Sequence, residues 1–340
     1  MSKIDLLKLV DSIDENSDQN HTHNRYLLID GLNLFFRNFS AINSVNSNGT
    51  HIGGLGGFLR SLGFLIRTIQ PTHLYVIFDG VGGSNNRKNI IPEYKSRRNT
   101  QRITNWDVFE DLEEEDDAKV NQIVRLIQYL KHLPLRTTAI DKVEADDIIA
   151  YLSNKLIKNE SDKVFIVSND GDYLQLVTPQ ITVFKPTERE FYTHDVMIEK
   201  FNLSPNNFIL YKMLLGDASD KVSGVKGLGK KGLFKKFPEL SERDLTFDDI
   251  IDICAAKIDE HIVYARVINE MDTFKDKYQI MDLKNHMIDE NNKILLDGFI
   301  ESPPNKYHPE SFLRLYKSDQ LGNLIKNPEI WLKENFEHLK

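Results

Sequence analysis

From Tyr26 onward, short apolar runs alternate with longer stretches of helical periodicity. Three of the runs end in acids: YLLID over 26–30, LYVIFD over 74–79 and VFIVSND over 164–170. Apolar residues recur at the spacing of one helix face over 55–70 and 119–132, and KVEADDIIAYL at 142–152 reads as a further amphipathic helix. Apolar runs of this length separated by helices predict a parallel sheet covered on both faces. The expected fold class is α/β, a doubly wound, mostly parallel sheet over 25–204. Residues 205–340 read as a helical region. Two stretches depart from this rhythm. Residues 1–24 suggest a short amphipathic helix and a polar tether. Residues 85–118 are polar, first basic and then acidic in EDLEEEDD at 110–117. A loop longer than about 12–15 residues inside a compact domain is usually functional or disordered.

The acids carry the first chemical signal. Ligands of open α/β sheets bind at the carboxyl ends of the parallel strands. Asp30, Asp79 and Asp170 each close an apolar run and are expected to converge on one crevice. Glu144, Asp146 and Asp147 crowd the start of the helix at 142–152. Acids in a first turn complement the helix dipole, which accounts for one or two of them but not three. SNDGDYLQL at 168–176 adds Asp172, with Gly171 permitting a tight strand-to-helix turn. GDASDK at 216–221 adds Asp217 and Asp220 behind the apolar NNFILYKMLL. Carboxylates brought this close cannot all ionise unaided. An all-oxygen set without His or Cys suits Mg²⁺ or Mn²⁺ rather than Zn²⁺. Two such ions about 3.5–4 Å apart clamp a phosphate and activate water. No Ser-His-Asp or Cys-His arrangement stands out, and the ten histidines show no metal-ligand spacing.

A net charge of −8 by itself argues against nucleic acid as a partner, but the distribution decides more than the sum. Residues 87–102 hold Arg87, Lys88, Lys95, Arg97, Arg98 and Arg102 against the single acid Glu93, and residues 221–236 hold six lysines and no acid. These are solvated faces or phosphate-contacting surfaces. GVKGLGKKG at 224–232 has the glycine pattern of a helix-hairpin-helix. Its glycines let the backbone approach a phosphate, the N–H groups at the next helix start point at it, and Lys226, Lys230 and Lys231 add charge. Such a contact positions a duplex without reading its bases. The only cysteine, Cys254, excludes an intrachain disulfide and is expected to be buried in a reducing cytoplasm. No apolar run approaches the roughly 20 residues needed to span a membrane, and MSKIDLLKLV shows neither the apolar core nor the small-residue cleavage site expected of a signal peptide. The expected location is cytoplasmic, the host cytoplasm for a phage protein, with no membrane partner.

The motifs, taken together, resemble the flap endonuclease-like 5′ nucleases, a family that includes bacteriophage 5′→3′ exonucleases, phage ribonuclease H and the 5′ nuclease domain of bacterial DNA polymerase I. The matching segments are IDGLNLFFR (29–37), VIFDG (76–80), PEYKSRR (92–98), VEADD (143–147), SNDGDYLQL (168–176) and LLGDASDKVSGVKGLGKKG (214–232), in family order and spacing. The length, the Trp106–Asp107 pair and the helical tail look most like the phage ribonuclease H branch. The resemblance implies that Asp30, Asp79, Glu144 and Asp146 form a first metal site and Asp170, Asp172 and Asp220 a second. It implies that Asp147 and Asp217 act partly through water. Lys95 matches a lysine that contacts the scissile phosphate and stabilises developing charge. Arg97, Arg98 and Arg102 are candidates for a second cationic contact, Arg98 entering the catalytic set with Lys95. Phe36, beside Arg37, matches an aromatic that stacks on a base, and Tyr94 is either a stacking or a core residue. The excursion at 85–118 becomes a helical arch over a 5′ single strand, though its acidic part departs from a simple basic arch. That part is expected to repel phosphate, guide the strand or remain disordered. The hairpin at 221–236, through Gly224, Gly227 and Gly229, matches one that also binds K⁺ through backbone carbonyls.

The resulting expectation is a Mg²⁺-dependent, structure-selective 5′→3′ exonuclease and flap endonuclease on RNA/DNA and DNA/DNA duplexes. By resemblance it removes RNA primers in phage DNA replication. Its partners would be double-stranded DNA or an RNA/DNA duplex with a 5′ end or flap. A sliding clamp or single-strand-binding protein is an open candidate for the C-terminal helices. A non-catalytic DNA-binding replication scaffold and a single-strand ribonuclease are the alternatives. Preference between RNA and DNA is left open, because both expose the same phosphates.

Overall fold

The computed structural model describes residues 23–95, 103–217 and 222–339. The expected N-terminal helix and nearly all of its tether lie outside these residues, as do Arg97, Arg98, Arg102 and Asp220.

Six strands form one sheet: β1 (Arg25–Asp30), β2 (His73–Ile77), β3 (Arg136–Thr138), β4 (Lys163–Val167), β5 (Ile181–Lys185) and β6 (Glu190–Tyr192), in the order β3-β2-β1-β4-β5-β6. The first five run parallel, and β6 pairs antiparallel with β5 at the edge. Helices α1 (Gly31–Ala41), α2 (Gly53–Ile69), α3 (Asn85–Ile90), α4 (Leu112–Leu130), α5 (Ala145–Lys155) and α6 (His194–Phe201) accompany the sheet. After them come α7 (Phe208–Leu215), α8 (Lys230–Lys236), α9 (Glu239–Glu242), α10 (Phe247–Ala256), α11 (Ile262–Asn269) and α12 (Met271–Met281). The chain closes with α13 (Glu290–Glu301), α14 (Pro309–Ser318) and α15 (Pro328–Phe336).

Side chains of a strand point alternately to its two faces, and here both faces are buried. Leu27, Ile29, Leu74, Val76, Phe165 and Val167 pack with residues of α1, α2 and α4, whereas Tyr26, Leu28, Tyr75, Ile77, Val164 and Ile166 pack with α5, the 3₁₀ turn Asp172–Leu176 and Met197 of α6. A third core lies among α7, α8, α10, α11 and α12 and contains Cys254, whose thiol burial pushes up to about 12. No described helix is long and apolar enough to cross a membrane.

Two expectations about organisation change. The division at 204 does not follow the packing, because Phe312 and Tyr316 of α14 and Trp331, Leu332 and Phe336 of α15 return to the first face of the sheet. The approach is close: a Cβ on Gly63 would lie 2.2 Å from the Trp331 indole nitrogen. The acidic run at 110–117 is the start of α4 rather than a loop. Asp111 caps this helix by accepting from Glu114 N at 2.8 Å, and Glu113, Glu114 and Glu115 fill the first turn, where the helix dipole favours negative charge. Glu115 is fully buried and accepts from Thr104 N at 2.9 and 3.1 Å and from Asn105 N at 3.2 Å. Asn105 in turn donates to the Phe39 carbonyl at 2.8 Å. The acids of this run thus anchor one foot of the excursion to the nuclease core.

Candidate active site

The strand order reverses direction at β1, with β2 on one side and β4 on the other, and ligands of such sheets bind at this switch point. Asp30 ends β1, Asp79 follows β2 and Asp170 follows β4, so three acids far apart in the chain meet at one end of the sheet. A cleft of about 590 Å³ opens there, lined by Asp30, Asp79, Glu144, Asp146 and Asp170 together with Lys95, Phe36, Arg37 and Tyr173.

Each acid is held by local structure. Asp30 caps α1, accepting from Asn33 N at 3.0 Å, and also accepts from Ser168 Oγ and Tyr173 OH, each at 3.2 Å. Burial pushes its carboxyl up to about 7, and Asp79 and Asp170 add to the rise against the hydrogen bond from Asn33. Asp79 accepts from Ala145 N at 2.7 Å, which ties the end of β2 to the start of α5. Its pKa is raised by burial, then by Asp146 and Glu144, while the Ala145 hydrogen bond and Lys95 oppose the rise. Asp170 accepts from Asp172 N at 2.9 Å. Tyr173, fully buried beneath these acids, is held neutral by burial and by their charge. Asn33 accepts from Asn169 N at 2.9 Å, and Asn169 accepts from Thr187 N at 2.8 Å, which locks the floor of the cleft.

The remaining acids turn to three cations. Arg87, on α3, is buried and binds Glu144, both oxygens of Asp147 at 2.9 and 3.1 Å, and Asp146 at 3.3 Å; its Nε donates to the Ile280 carbonyl at 2.8 Å. Burial alone would lower its pKa, but Asp146, Asp147 and Glu144 outweigh that and hold it well above the ordinary value. Lys95 pairs with the other oxygen of Glu144. Lys212, on α7, pairs with both Asp172 and Asp217 and is raised in the same way against its own burial. Among the described residues no three His, Cys, Asp or Glu side chains already surround one point as ligands. Carboxylates facing one another repel, and Glu144, Asp146, Asp147, Asp172 and Asp217 each lie against a positive group.

The cleft therefore gathers Asp30, Asp79, Glu144, Asp146, Asp170 and Lys95. Asp147 is 2 % exposed, faces Arg87 and accepts from Met287 N, so it lies behind the cleft wall. Asp172 and Asp217 meet at Lys212 rather than in the cleft lining. Phe36 is 42 % exposed at the rim, and Arg37 beside it donates to Thr187 Oγ1 and the Pro186 carbonyl. Tyr94 resolves to the core: it is 4 % exposed within the third cluster, so its ring is not presented to a base. The hairpin follows α7. Val225 N donates to the Leu214 carbonyl at 2.8 Å, Gly227 sits at φ +84° and Gly229 precedes α8. A Cβ on Gly224 would lie 2.2 Å from the Leu215 carbonyl carbon. Lys226, Lys230 and Lys231 are exposed around the turn.

Residues 25–202 match the family model of the 5′-3′ exonuclease N-terminal resolvase-like domain. The chain belongs to the 5′-3′ exonuclease family. It is a 5′ nuclease. A 5′-3′ exonuclease of Bacillus subtilis is 30% identical over 237 residues, covering 67% of this chain and 74% of the relative. The bacteriophage T5 5′-exonuclease, solved with bound zinc ions, superposes with a TM-score of 0.65 at 25% identity over 82% of this chain and 97% of its own. The T5 flap endonuclease, solved as a pseudo-enzyme-product complex with DNA and metal ions, shares the fold at a TM-score of 0.65 and 22% identity, over 86% of this chain and all of that one.

Arg87 and Lys212 are the residues of this 5′ nuclease that the sequence reading passed over. Arg87 was counted only as part of a basic segment. Lys212 carried a usable signal, since a single lysine inside the apolar FILYKMLL is rarely buried unless paired. Ser168 and Tyr173 lie within SNDGDYLQL, and neither carries a charge that would mark it among the acids.

Proposed function

We infer that this chain is a divalent-metal-dependent, structure-selective 5′ nuclease that cuts at 5′ ends and flaps of DNA/DNA and RNA/DNA duplexes. The observation that carries the reading is the crowding of Asp30, Asp79, Glu144, Asp146 and Asp170 around one open cleft beside Lys95. The donor set is all oxygen, and burial, followed by the charge of neighbouring acids, makes Asp30 and Asp79 hold their protons more tightly than ordinary aspartates. That environment fits Mg²⁺ or Mn²⁺. Asp30, Asp79, Glu144 and Asp146 would hold a first ion and Asp170, Asp172 and Asp220 a second, with Asp147 and Asp217 acting through water. When bound, the ions supply Lewis-acid polarisation of the phosphate and activation of the attacking water.

The protein's own groups do the rest. Lys95 exchanges Glu144 for a phosphate oxygen and stabilises its developing charge. Arg98, with Arg97 and Arg102, is proposed as a further cationic contact from the excursion. Phe36 offers an exposed ring to a base at the rim, and Arg37 lies beside it. The glycines and lysines of the hairpin grip duplex phosphates without reading sequence, and their carbonyls are the place for a K⁺ ion. Removal of RNA primers and adjacent DNA during phage replication is the biological role that suits these parts. A sliding clamp or single-strand-binding protein remains the proposed partner of the C-terminal region.

The test uses a nicked duplex with an RNA-primed downstream strand, labelled at either end, with and without Mg²⁺. Mg²⁺-dependent short products released from the 5′ end support the reading, and their composition ranks RNA against DNA. Binding without cutting in both Mg²⁺ and Mn²⁺ overturns it in favour of a non-catalytic scaffold.

A further inference from the structure

Beside the active-site cleft a second cavity of about 480 Å³ opens between α1, α2 and the end of the sheet that carries β5 and β6, and the two cavities share Arg37. Its volume falls within the roughly 300–1,000 Å³ of small-ligand sites. Three arginines line it, Arg37, Arg60 and Arg189, and no carboxylate does. Among the described residues none of the three forms an ion pair. Arg37 donates only to neutral oxygens, Thr187 Oγ1 at 3.3 Å and the Pro186 carbonyl at 3.2 Å. Burial, and then the charge of Arg189, lower the Arg37 pKa, as expected of like charges facing each other. Between them the wall is mainly apolar, with the neutral Asn38 and Ser61 bonded to each other, and includes the half-buried ring of Phe64.

Guanidinium groups gathered around an apolar wall without a counter-charge call for a ligand with an anionic part and a flat, weakly polar part. A phosphate takes the forked donors of arginine, and every base has a face that stacks on an aromatic ring. We propose that this cavity holds one unstacked nucleotide of the bound strand, with its phosphate among Arg37, Arg60 and Arg189 and its base against Phe64. The proposal rests on the nuclease reading of the neighbouring cleft. Because Arg37 borders both cavities, the captured nucleotide is a near neighbour of the scissile phosphate. The site would set how many unpaired nucleotides the enzyme accommodates beside the cut.

The experiment uses the full chain in EDTA and a duplex with a short single-stranded extension at its 5′ or its 3′ end. The extension carries 2-aminopurine at successive unpaired positions. Wild-type protein is expected to change the fluorescence at one position. Arg60→Ala/Arg189→Ala should lose that change, bind the extended duplex about three- to tenfold more weakly, reduce the salt slope of binding by about 1–2, and bind a blunt duplex as wild type does. Phe64→Leu should lose the fluorescence change with a smaller loss of affinity. Thermal melting of each variant checks the fold. No responsive position, or equal weakening on blunt and extended duplexes, overturns the proposal. An equal response from a free 2-aminopurine nucleoside monophosphate overturns the strand as the source. Cleavage of the same duplex in Mg²⁺ is scored separately. Failed cleavage with a retained response removes the nuclease reading alone, and intact cleavage without a response removes the pocket alone.

Discussion

Replacing Arg87 with methionine removes the positive charge from a buried knot while keeping most of the side-chain volume. In the native fold this guanidinium satisfies Glu144, Asp147 and Asp146 and donates to the Ile280 carbonyl, and the Arg87, Glu144 and Asp147 side chains are 3, 6 and 3 % exposed. In Arg87→Met, Lys95 still reaches Glu144, but Asp147 keeps only the Met287 amide. Breaking a buried pair on one side costs about 3–5 kcal/mol, because the remaining charge has no partner and no water. Urea unfolding in EDTA, followed by circular dichroism, should show a loss of that size with an unchanged slope against denaturant. Removing the other partner as well should recover part of it, so Arg87→Met/Asp147→Asn should be more stable than Arg87→Met alone. Excess Mg²⁺ should stabilise Arg87→Met more than wild type if cations enter the same group of acids. A loss under about 1 kcal/mol, or a double variant no more stable than the sum of the single effects, would refute the account of Arg87 as the charge that lets these carboxylates share the base of the cleft.

Asp170→Asn and Asp146→Asn should each abolish cleavage of a 5′-labelled flap while leaving its affinity within about threefold in EDTA; full activity in both would sink the carboxylate-centre assignment. Gly224→Ala places a Cβ 2.2 Å from the Leu215 carbonyl carbon, so the hairpin must shift; duplex affinity by anisotropy should fall and its salt slope flatten by about 1, with cleavage of saturated substrate less affected. Glu115→Ala strips the acceptor from the Thr104 and Asn105 amides, so limited proteolysis within 103–111 should quicken, alongside a loss of about 1–3 kcal/mol in unfolding experiments. His51 is buried, its Nε2 donating to the Ile42 carbonyl and its Nδ1 accepting from Gln122, an arrangement that requires the neutral ring; burial lowers its pKa. The unfolded chain then binds the extra proton first, so stability is full above about pH 6.5 and declines as pH falls toward the depressed folded value. His51→Gln should flatten that decline, and equal slopes between pH 7.5 and 5.5 for both proteins would show that His51 is not its source.

Much of the acid-lined end of the sheet was legible along the chain. Strand-length apolar runs ending in Asp30, Asp79 and Asp170 encode both the sheet and the position of the acids, because parallel strands covered by helices present their carboxyl ends together. The Glu144–Asp147 cluster and the glycines of 224–232 were likewise local signals, each readable within about ten residues. Strands β3 and β6 were not readable, since three residues carry too little periodicity, β5 closes on Lys185 rather than on an acid that would have marked it, and the acidic run at 110–117 looked like loop because its charges mask the start of α4.

What the chain alone could not decide is which group answers which charge. Arg87 meets Glu144, Asp146, Asp147 and the carbonyl of Ile280 across as many as 193 residues of sequence, and Lys212 meets Asp172 from 40 residues away. Tyr94 reads equally well as a stacking or a core side chain until α12 and the hairpin close around it. The return of α14 and α15 to the sheet depends on the absence of a side chain at Gly63 opposite Trp331. Periodicity specifies the kind of element and the face it buries, because that follows from local backbone geometry. The pairing of buried charges follows from the three-dimensional approach of distant elements, where burial removes water and makes each unpaired charge costly enough to select its partner.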